Sequence, residues 1–375
     1  SIKTWSERFP AAYFEDVAGL RTLSPDVQPR ATEHIAEMID IIAGLIDRGH
    51  AYAAEGHVLF DVPSDPNYGS LSHRSLEDMI DGARVEVAPY KKDPKDFVLW
   101  KPSPEGLPGW DSPWGFGRPG WHIECTAMIH KHLGLTIDIH GGGSDLRFPH
   151  HENELAQGSC AHDDEAFVRY WMHNGMLNFG NEKMSKSLGN IVTIRSLLSE
   201  HHGEVLRYAL ISGQYRSTLG WSEDLLEQSR ASLARLYQAL RTDADGSAQT
   251  SADFAFAEID DYPQAVLNAL CDDLNTPQAL AEMHALASDI NRCTDPAAAE
   301  PMRQQLRAAG WLVGLLGDHP EDFFRHGAEV DEAEVEALVA QREQARKAKD
   351  FATADRTRKP VPLAITDRIH RVRSA

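Results

Sequence analysis

The sequence predicts an α/β nucleotide-binding part followed by an all-α part. Three observations carry this. Residues 135–160 run LTIDIH, GGG and PHHENELAQGSC, the strand, glycine turn and helix order of a parallel nucleotide-binding sheet. Residues 102–120, PSPEGLPGWDSPWGFGRPG, hold too much Pro and Gly for regular structure and mark a boundary before that sheet. Beyond residue 200 the pattern turns helical.

Taken in order, residues 32–49 (TEHIAEMIDIIAGLIDRG) place Ile35, Met38, Ile39, Ile42 and Ile46 on one helical face, and Gly49 ends the helix. VLFDVP (58–63) and KDFVLWK (95–101) read as short strands, with the turn-rich SDPNYGSLS between them. HIECTAMIHKHLG (122–134) is a helix stopped by Gly134; LTIDIH (135–140) is a buried strand and GGG (141–143) a tight turn. PHHENELAQGSC (149–160) is a helix and YWMHNGML (170–177) a strand. EVLRYALIS (204–212) opens the helical part. Ser222 is a good N-cap, with Glu223 and Asp224 in the first turn of a helix reaching about Arg241. Leu226, Leu233, Leu236 and Leu240 line one face of it. A polar linker (242–254) follows, then a bundle over 255–318 in which Thr276–Pro277 is a cap with a first-turn proline. Residues 330–355 read as one more charged helix.

With 375 residues there is room for two or three domains. No apolar run approaches the roughly 20 residues that span a bilayer, and the opening SIKTWSERFPAAYFEDV has no signal-peptide core, so no membrane role is expected. Its start at Ser points to a fragment or a processed chain. Cys125, Cys160, Cys271 and Cys293 lie far apart, which excludes a disulfide framework and fits the cytoplasm. A net charge of −20 speaks against a broad nucleic-acid surface but not against a local one. Residues 341–375 carry ten Lys/Arg against four Asp/Glu.

Three groups of residues carry chemistry. NEKMSKSLGN (181–190) sets Lys183 and Lys186 in a small, hydroxyl-rich loop, suited to closing on a polyphosphate as its charge builds. Cys125, His150 and Glu154 offer a thiolate, an imidazole and a carboxylate, the last two at i, i+4 on one helix face, a zinc-type set one ligand short. From spacing alone His151 can replace His150, and a buried Cys beside a surface HHENE is the plainer picture. In DIHGGGSDL (138–146), Gly141, Gly142 and Gly143 let backbone approach a nucleotide, and Asp145 is placed for ribose hydroxyls.

Together these residues resemble the cysteinyl-tRNA synthetases, class I aminoacyl-tRNA synthetases. PRATEHI, KDFVLWK, GRPGWHIEC, DIHGGGSDLRFPHHENELAQ, YWMHNGM, EKMSKSLGN, LRYALISG, DDLNTPQA and ARKAKDF stand in family order from about residue 20 to about residue 356. KMSKS marks class I; GWHIEC with FPHHENE marks the cysteine branch. The resemblance implies a Rossmann-like parallel sheet with an inserted connective segment (1–118) and a second half bearing the zinc ligands (119–176). A stem-contact region with KMSKS (177–230), a tRNA-binding helical bundle (231–328) and a remnant of the anticodon-binding region (329–375) follow. It implies cysteine and ATP (with Mg) as substrates, cysteinyl-adenylate as intermediate, tRNA(Cys) as acceptor, and a monomer. It places zinc on Cys125, His150 and Glu154, with Trp121 and His140 beside the substrate cysteine. His140, Gly141, Gly142, Gly143, Asp145 and Lys186 fall to ATP and adenylate, and Lys183 and Lys186 to catalysis.

The resemblance also implies a HIGH signature and a cysteine ligand upstream, and neither stands in the 375 residues. The expectation is a chain without the first half of the sheet, with an open sheet edge and an exposed apolar face. Residues 356–375 leave the family pattern. Two other readings are a ligase joining cysteine to an amino sugar and a non-catalytic tRNA-binding fragment. The long helices after residue 223 count against the first.

Overall fold

The structure is a computed structural model. It describes residues 2–73, 88–162, 166–179, 182–183, 192–241, 262–326 and eight positions between 340 and 353, with backbone only for 2–8 and 182–183. Lys186, the linker at 242–254, most of the helix expected at 330–355 and the segment 356–375 lie outside the described residues. Contacts divide the chain into two compact units, Pro25–Met176 and Ser1–Ser24 with Leu177–Ala375. The latter begins with α1 (Ile2–Gly19), a helix not expected from the sequence.

In the unit Pro25–Met176, α2 (Ile35–Asp47) lies on an antiparallel sheet of β1 (Ala51–Ala54), β2 (His57–Phe60), β3 (Phe97–Pro102) and β4 (Gly117–Pro119), in that order. The inward face of α2 is Met38, Ile41, Ile42 and Leu45. It is turned from the expected stripe, so that Ile35, Ile39 and Ile46 are only partly buried at its margins. These residues share a core with Val58, Phe60, Leu99 and Trp100 from the sheet, and with Ile123, Ala127, Ala156 and Cys160. The last four come from α3 (Trp121–Leu133) and α4 (Glu152–Ala161). Cys160 is thereby a core residue.

Between α3 and α4 runs β5 (Ile137–Gly143), paired in parallel with β6 (Val168–Asn174). The glycines are therefore not a turn. Gly141, Gly142 and Gly143 are the last three strand residues, opposite Met172, His173 and Asn174. The turn closes later, where the Leu146 N–H donates to Gly143 O at 3.0 Å. On this pair the cross-strand partners Ile139 and Tyr170 are 60% and 68% exposed, an uncovered apolar face. Helix α4 starts later than the sequence suggests, because the backbone ahead of it is broken at Phe148, which is extended (φ −140°, ψ 134°).

In the other unit β7 (Leu177–Phe179) pairs antiparallel with β8 (Glu182–Lys183) and parallel with β9 (Leu219–Trp221). Around this small sheet lie α5 (Ile194–Leu198), α6 (Gly203–Ile211) and α7 (Glu223–Leu240). Ser222 caps α7 by accepting from Leu225 N–H, and Leu226, Leu233, Leu236 and Leu240 are all buried. The bundle continues with α8 (Gln264–Cys271), α9 (Thr276–Arg292), α10 (Pro296–Val313) and α11 (Pro320–Arg325). The cap of α9 is Asn275, whose side chain accepts from Gln278 N–H, so Thr276 is the first helical residue rather than the cap. Leu233, Tyr237, Met283, Ile290, Leu306, Val313 and Leu316 fill the bundle core. No described helix is long and apolar enough to cross a membrane.

Candidate metal centre and active site

The cluster is built from the ends of α3 and α4 and from the glycine end of β5. Helix α3 begins where it does because Gly120 lets the chain touch β3. A Cβ there would fall 2.0 Å from Val98 O, which no side chain allows. Trp121 is thus the first helical residue, with Cys125 one turn on along the same face. Thr126 Oγ1 donates to Gln157 Oε1 at 2.7 Å, a buried bond that ties α3 to α4.

The HHENE stretch is not a surface feature. His150, His151, Glu152, Asn153 and Glu154 are between 0 and 5% exposed, so each polar group must be answered. Glu152 accepts from the N–H groups of Gly69, Leu71 and Ser72 and holds the turn-rich segment after β2 in place. Asn153 accepts from Tyr68 OH. His151 Nδ1 lies 2.8 Å from His173 Nε2, and Gly142 makes room for that ring, since a Cβ there would sit 2.8 Å from His151 Cε1.

The remaining donors converge. One ligand atom each from Cys125, His150 and Glu154 lie within 4.8 Å of one another, and the same holds for His140, His151 and Glu154. His150 Nε2 stands 2.8 Å from Glu154 Oε1, and His140 Nε2 stands 2.8 Å from Glu154 Oε2. Yet both buried carboxylate oxygens lack a hydrogen bond of proper direction. A thiol, an imidazole and a carboxylate gathered this closely are the donor set of a divalent-cation site.

The electrostatics agree. Burial pushes the Glu154 carboxyl up, but the His140 and His150 imidazoles outweigh it and hold the group down at about 2. Burial, reinforced by the Glu154 charge, pushes the Cys125 thiol up to about 12. Burial with a neighbouring imidazole brings His122 down to about 4, and burial does the same for His151 despite the Glu154 charge. A divalent ion bound here would answer the Glu154 charge and take the Cys125 sulfur as a thiolate.

Trp121, 57% exposed, stacks on His150 at 4.2 Å between ring centroids, and His140 meets Trp171 edge-on at 4.9 Å. Trp121, Cys125, His140, His150 and Glu154 thus come together, with Gly141–Gly143 following His140 in β5. Asp145 is exposed in the turn beyond. Lys183 lies on β8 in the other unit. Sequence reasoning missed His122, whose Nδ1 is 2.8 Å from His150 Nδ1, and the Trp171–His173 pair. Both had a signal: His122 is three residues before Cys125 on a helix, and Trp171 and His173 are two apart on a strand.

Residues 1–231 match the family described as tRNA synthetases class I (C) catalytic domain, and residues 265–317 match the DALR domain. The cysteine–tRNA ligase of Parvibaculum lavamentivorans is 55% identical over 360 residues, 95% of this chain and 75% of that protein. That of Saccharophagus degradans is 54% identical over 363 residues, 96% of this chain and 77% of that protein. The chain belongs to the cysteinyl-tRNA synthetases. The activity of the family is ligation of cysteine to tRNA, and relatives of that activity at 54–55% identity over 95–96% of this chain favour it over the amino-sugar reading. Methionyl-tRNA synthetase of Mycobacterium tuberculosis bound by methionyl-adenylate shares its fold with this chain. Its TM-score is 0.53 at 14% identity, over 94% of this chain and 84% of that one.

Proposed function

We propose that the chain activates cysteine with ATP and passes the cysteinyl group to tRNA(Cys), using zinc held by Cys125, His150 and Glu154. The convergence of these three donors, with both Glu154 oxygens left without directed bonds, is the observation that supports it. When bound by these residues, zinc would supply a thiophilic centre that favours a substrate thiolate over a serine hydroxyl. Trp121 offers its exposed face to the substrate, and His140 borders the same space from β5. The buried pairs of Glu152 and Asn153 keep α4, and so Glu154, from shifting when the site fills.

Gly141, Gly142 and Gly143 give backbone access for the nucleotide at the end of a parallel strand. Asp145 accepts from the ribose hydroxyls. Lys183 and Lys186 neutralise the phosphates of ATP, with Mg, as pyrophosphate leaves. The helices from α7 onward bind tRNA, and the chain works as a cytoplasmic monomer.

The test is cysteine-dependent ATP–pyrophosphate exchange with zinc content measured on the same preparation. Glu154→Gln and Cys125→Ser are expected to lower zinc affinity by at least about 100-fold. Exchange should fall with it, and the preference for cysteine over serine should shrink in whatever activity remains. Full exchange in a zinc-free chain would overturn the assignment.

A further inference from the structure

The DDLNTPQA stretch (272–279) has no part in the chemistry above. It forms the turn between α8 and α9, where Asp273 and Leu274 both hold a left-handed φ of 51°. Two successive non-glycine residues rarely adopt that conformation. Its result is that the Asp273 carboxylate faces the loop after α6.

Arg216 reaches Asp273 with two bonds, Nε to Oδ2 at 2.7 Å and Nη2 to Oδ1 at 2.8 Å. Tyr215 OH donates to Oδ1 at 3.0 Å, and Gln214 Nε2 approaches both Oδ2 at 3.4 Å and the Asp273 carbonyl at 3.2 Å. The Arg216 N–H donates to Gln214 Oε1 at 2.7 Å, so the loop is also braced within itself. Residues 214–216 therefore fill every acceptor direction of one carboxylate. Arg216 and Asp273 are 50% and 48% exposed, so this pairing adds little to stability. What it fixes is geometry.

The loop leads directly into β9. Leu219, Gly220 and Trp221 of β9 pair with Leu177, Asn178 and Phe179 of β7, and Asn178 and Phe179 pair in turn with Lys183 and Glu182 of β8. One edge of this three-stranded sheet is thus joined to the bundle turn, and the other carries the first lysine of KMSKS. The geometry points to Asp273 and Arg216 as positioning residues. They form a latch through which the helical bundle, once it holds tRNA, sets the strand that presents the lysine loop. This rests on the reading that the bundle binds tRNA and the loop binds phosphates.

The test uses the full chain with Asp273→Asn, Arg216→Lys and the double variant. Each variant is expected to keep the melting temperature and the tRNA-free exchange rate of the parent. The kcat of tRNA cysteinylation should fall about tenfold with little change in KM for tRNA, and the double variant should be no worse than either single one. Unchanged cysteinylation, exchange falling in parallel with it, or losses that multiply in the double variant would each overturn the latch. A second measurement separates this from the proposed chemistry: amide hydrogen exchange at residues 177–183 with and without tRNA. Slowing by tRNA in the parent but not in Asp273→Asn supports the latch even in a chain that makes no adenylate. Equal slowing in both, or none in the parent, refutes it.

Discussion

Glu204, at the start of α6, is fully buried and accepts from four groups. Leu316 N–H donates at 3.0 Å, Gly317 N–H at 2.8 Å and Tyr237 OH at 2.7 Å, while Arg21 Nε pairs at 3.2 Å. Three segments distant in sequence meet on one carboxylate. Glu204→Ala strands two backbone donors, each costing about 1–3 kcal/mol when left unpaired in the interior. Two such donors together give an expected loss of about 2–6 kcal/mol, to which Arg21, 34% exposed and still paired with Asp318, adds little. Glu204→Gln keeps the shape and one acceptor oxygen but turns an amide NH2 toward a backbone donor, and should lose about half as much. Native-state amide exchange at Leu316 and Gly317 reads the local cost, and urea unfolding of the full chain reads the global one. A Glu204→Ala chain within about 1 kcal/mol of the parent would refute the reasoning, since it would mean water already serves these donors.

Leu233→Ala opens a cavity in a fully buried part of the bundle and should cost about 2.7–5 kcal/mol in unfolding, whereas Glu227→Ala on the exposed side of the same helix should stay within about 0.5 kcal/mol. Gly142→Ala puts a Cβ 2.8 Å from His151 Cε1, while at Gly141 the nearest atom is 3.7 Å away. The first substitution should therefore raise KM for cysteine and the second should not, as read by pyrophosphate exchange. The Arg216 hydrogen bonds lower Asp273 from 3.8 to about 2. The pairing is thus complete above pH 3.8 and is lost as pH falls through 2, and a carboxyl-carbon NMR titration of Asp273 with a midpoint near 3.8 would remove it.

Helices with a strong local signal were legible. Ser222 with Glu223 and Asp224 fixed the start of α7, and its leucine period fixed the buried face. Gly134 stopped α3 as expected, with a φ of 92°. What failed was decided by tertiary context. On α2, Ile39 and Ile41 are equally apolar, and only the sheet beneath chooses between them. The run GGG has the composition of a turn, but parallel pairing with Met172, His173 and Asn174 holds it extended. Glycine lacks a side chain to resist either conformation, so the neighbour strand decided.

The site shows the same division from the other side. Spacing alone could not tell a metal set from a buried thiol beside a polar surface helix, because HHENE has the composition of an exposed turn. Burial of all five residues removes that ambiguity. Four of them then find roles that a solvated helix would not need: Glu152 and Asn153 hold the segment around Tyr68–Ser72, and His151 meets His173. His150 lies against His122 and the Glu154 carboxylate. Glu154 is left facing the His140 and His150 nitrogens at 2.8 Å, with the Cys125 thiol beside it. A buried carboxylate is costly unless positive charge answers it, from a protonated imidazole or from a bound cation. The four neighbours of Glu154 in this stretch therefore do more than fill space. They fix where the carboxylate stands, and that position, rather than any single ligand, gives Cys125 and His150 a common point to face.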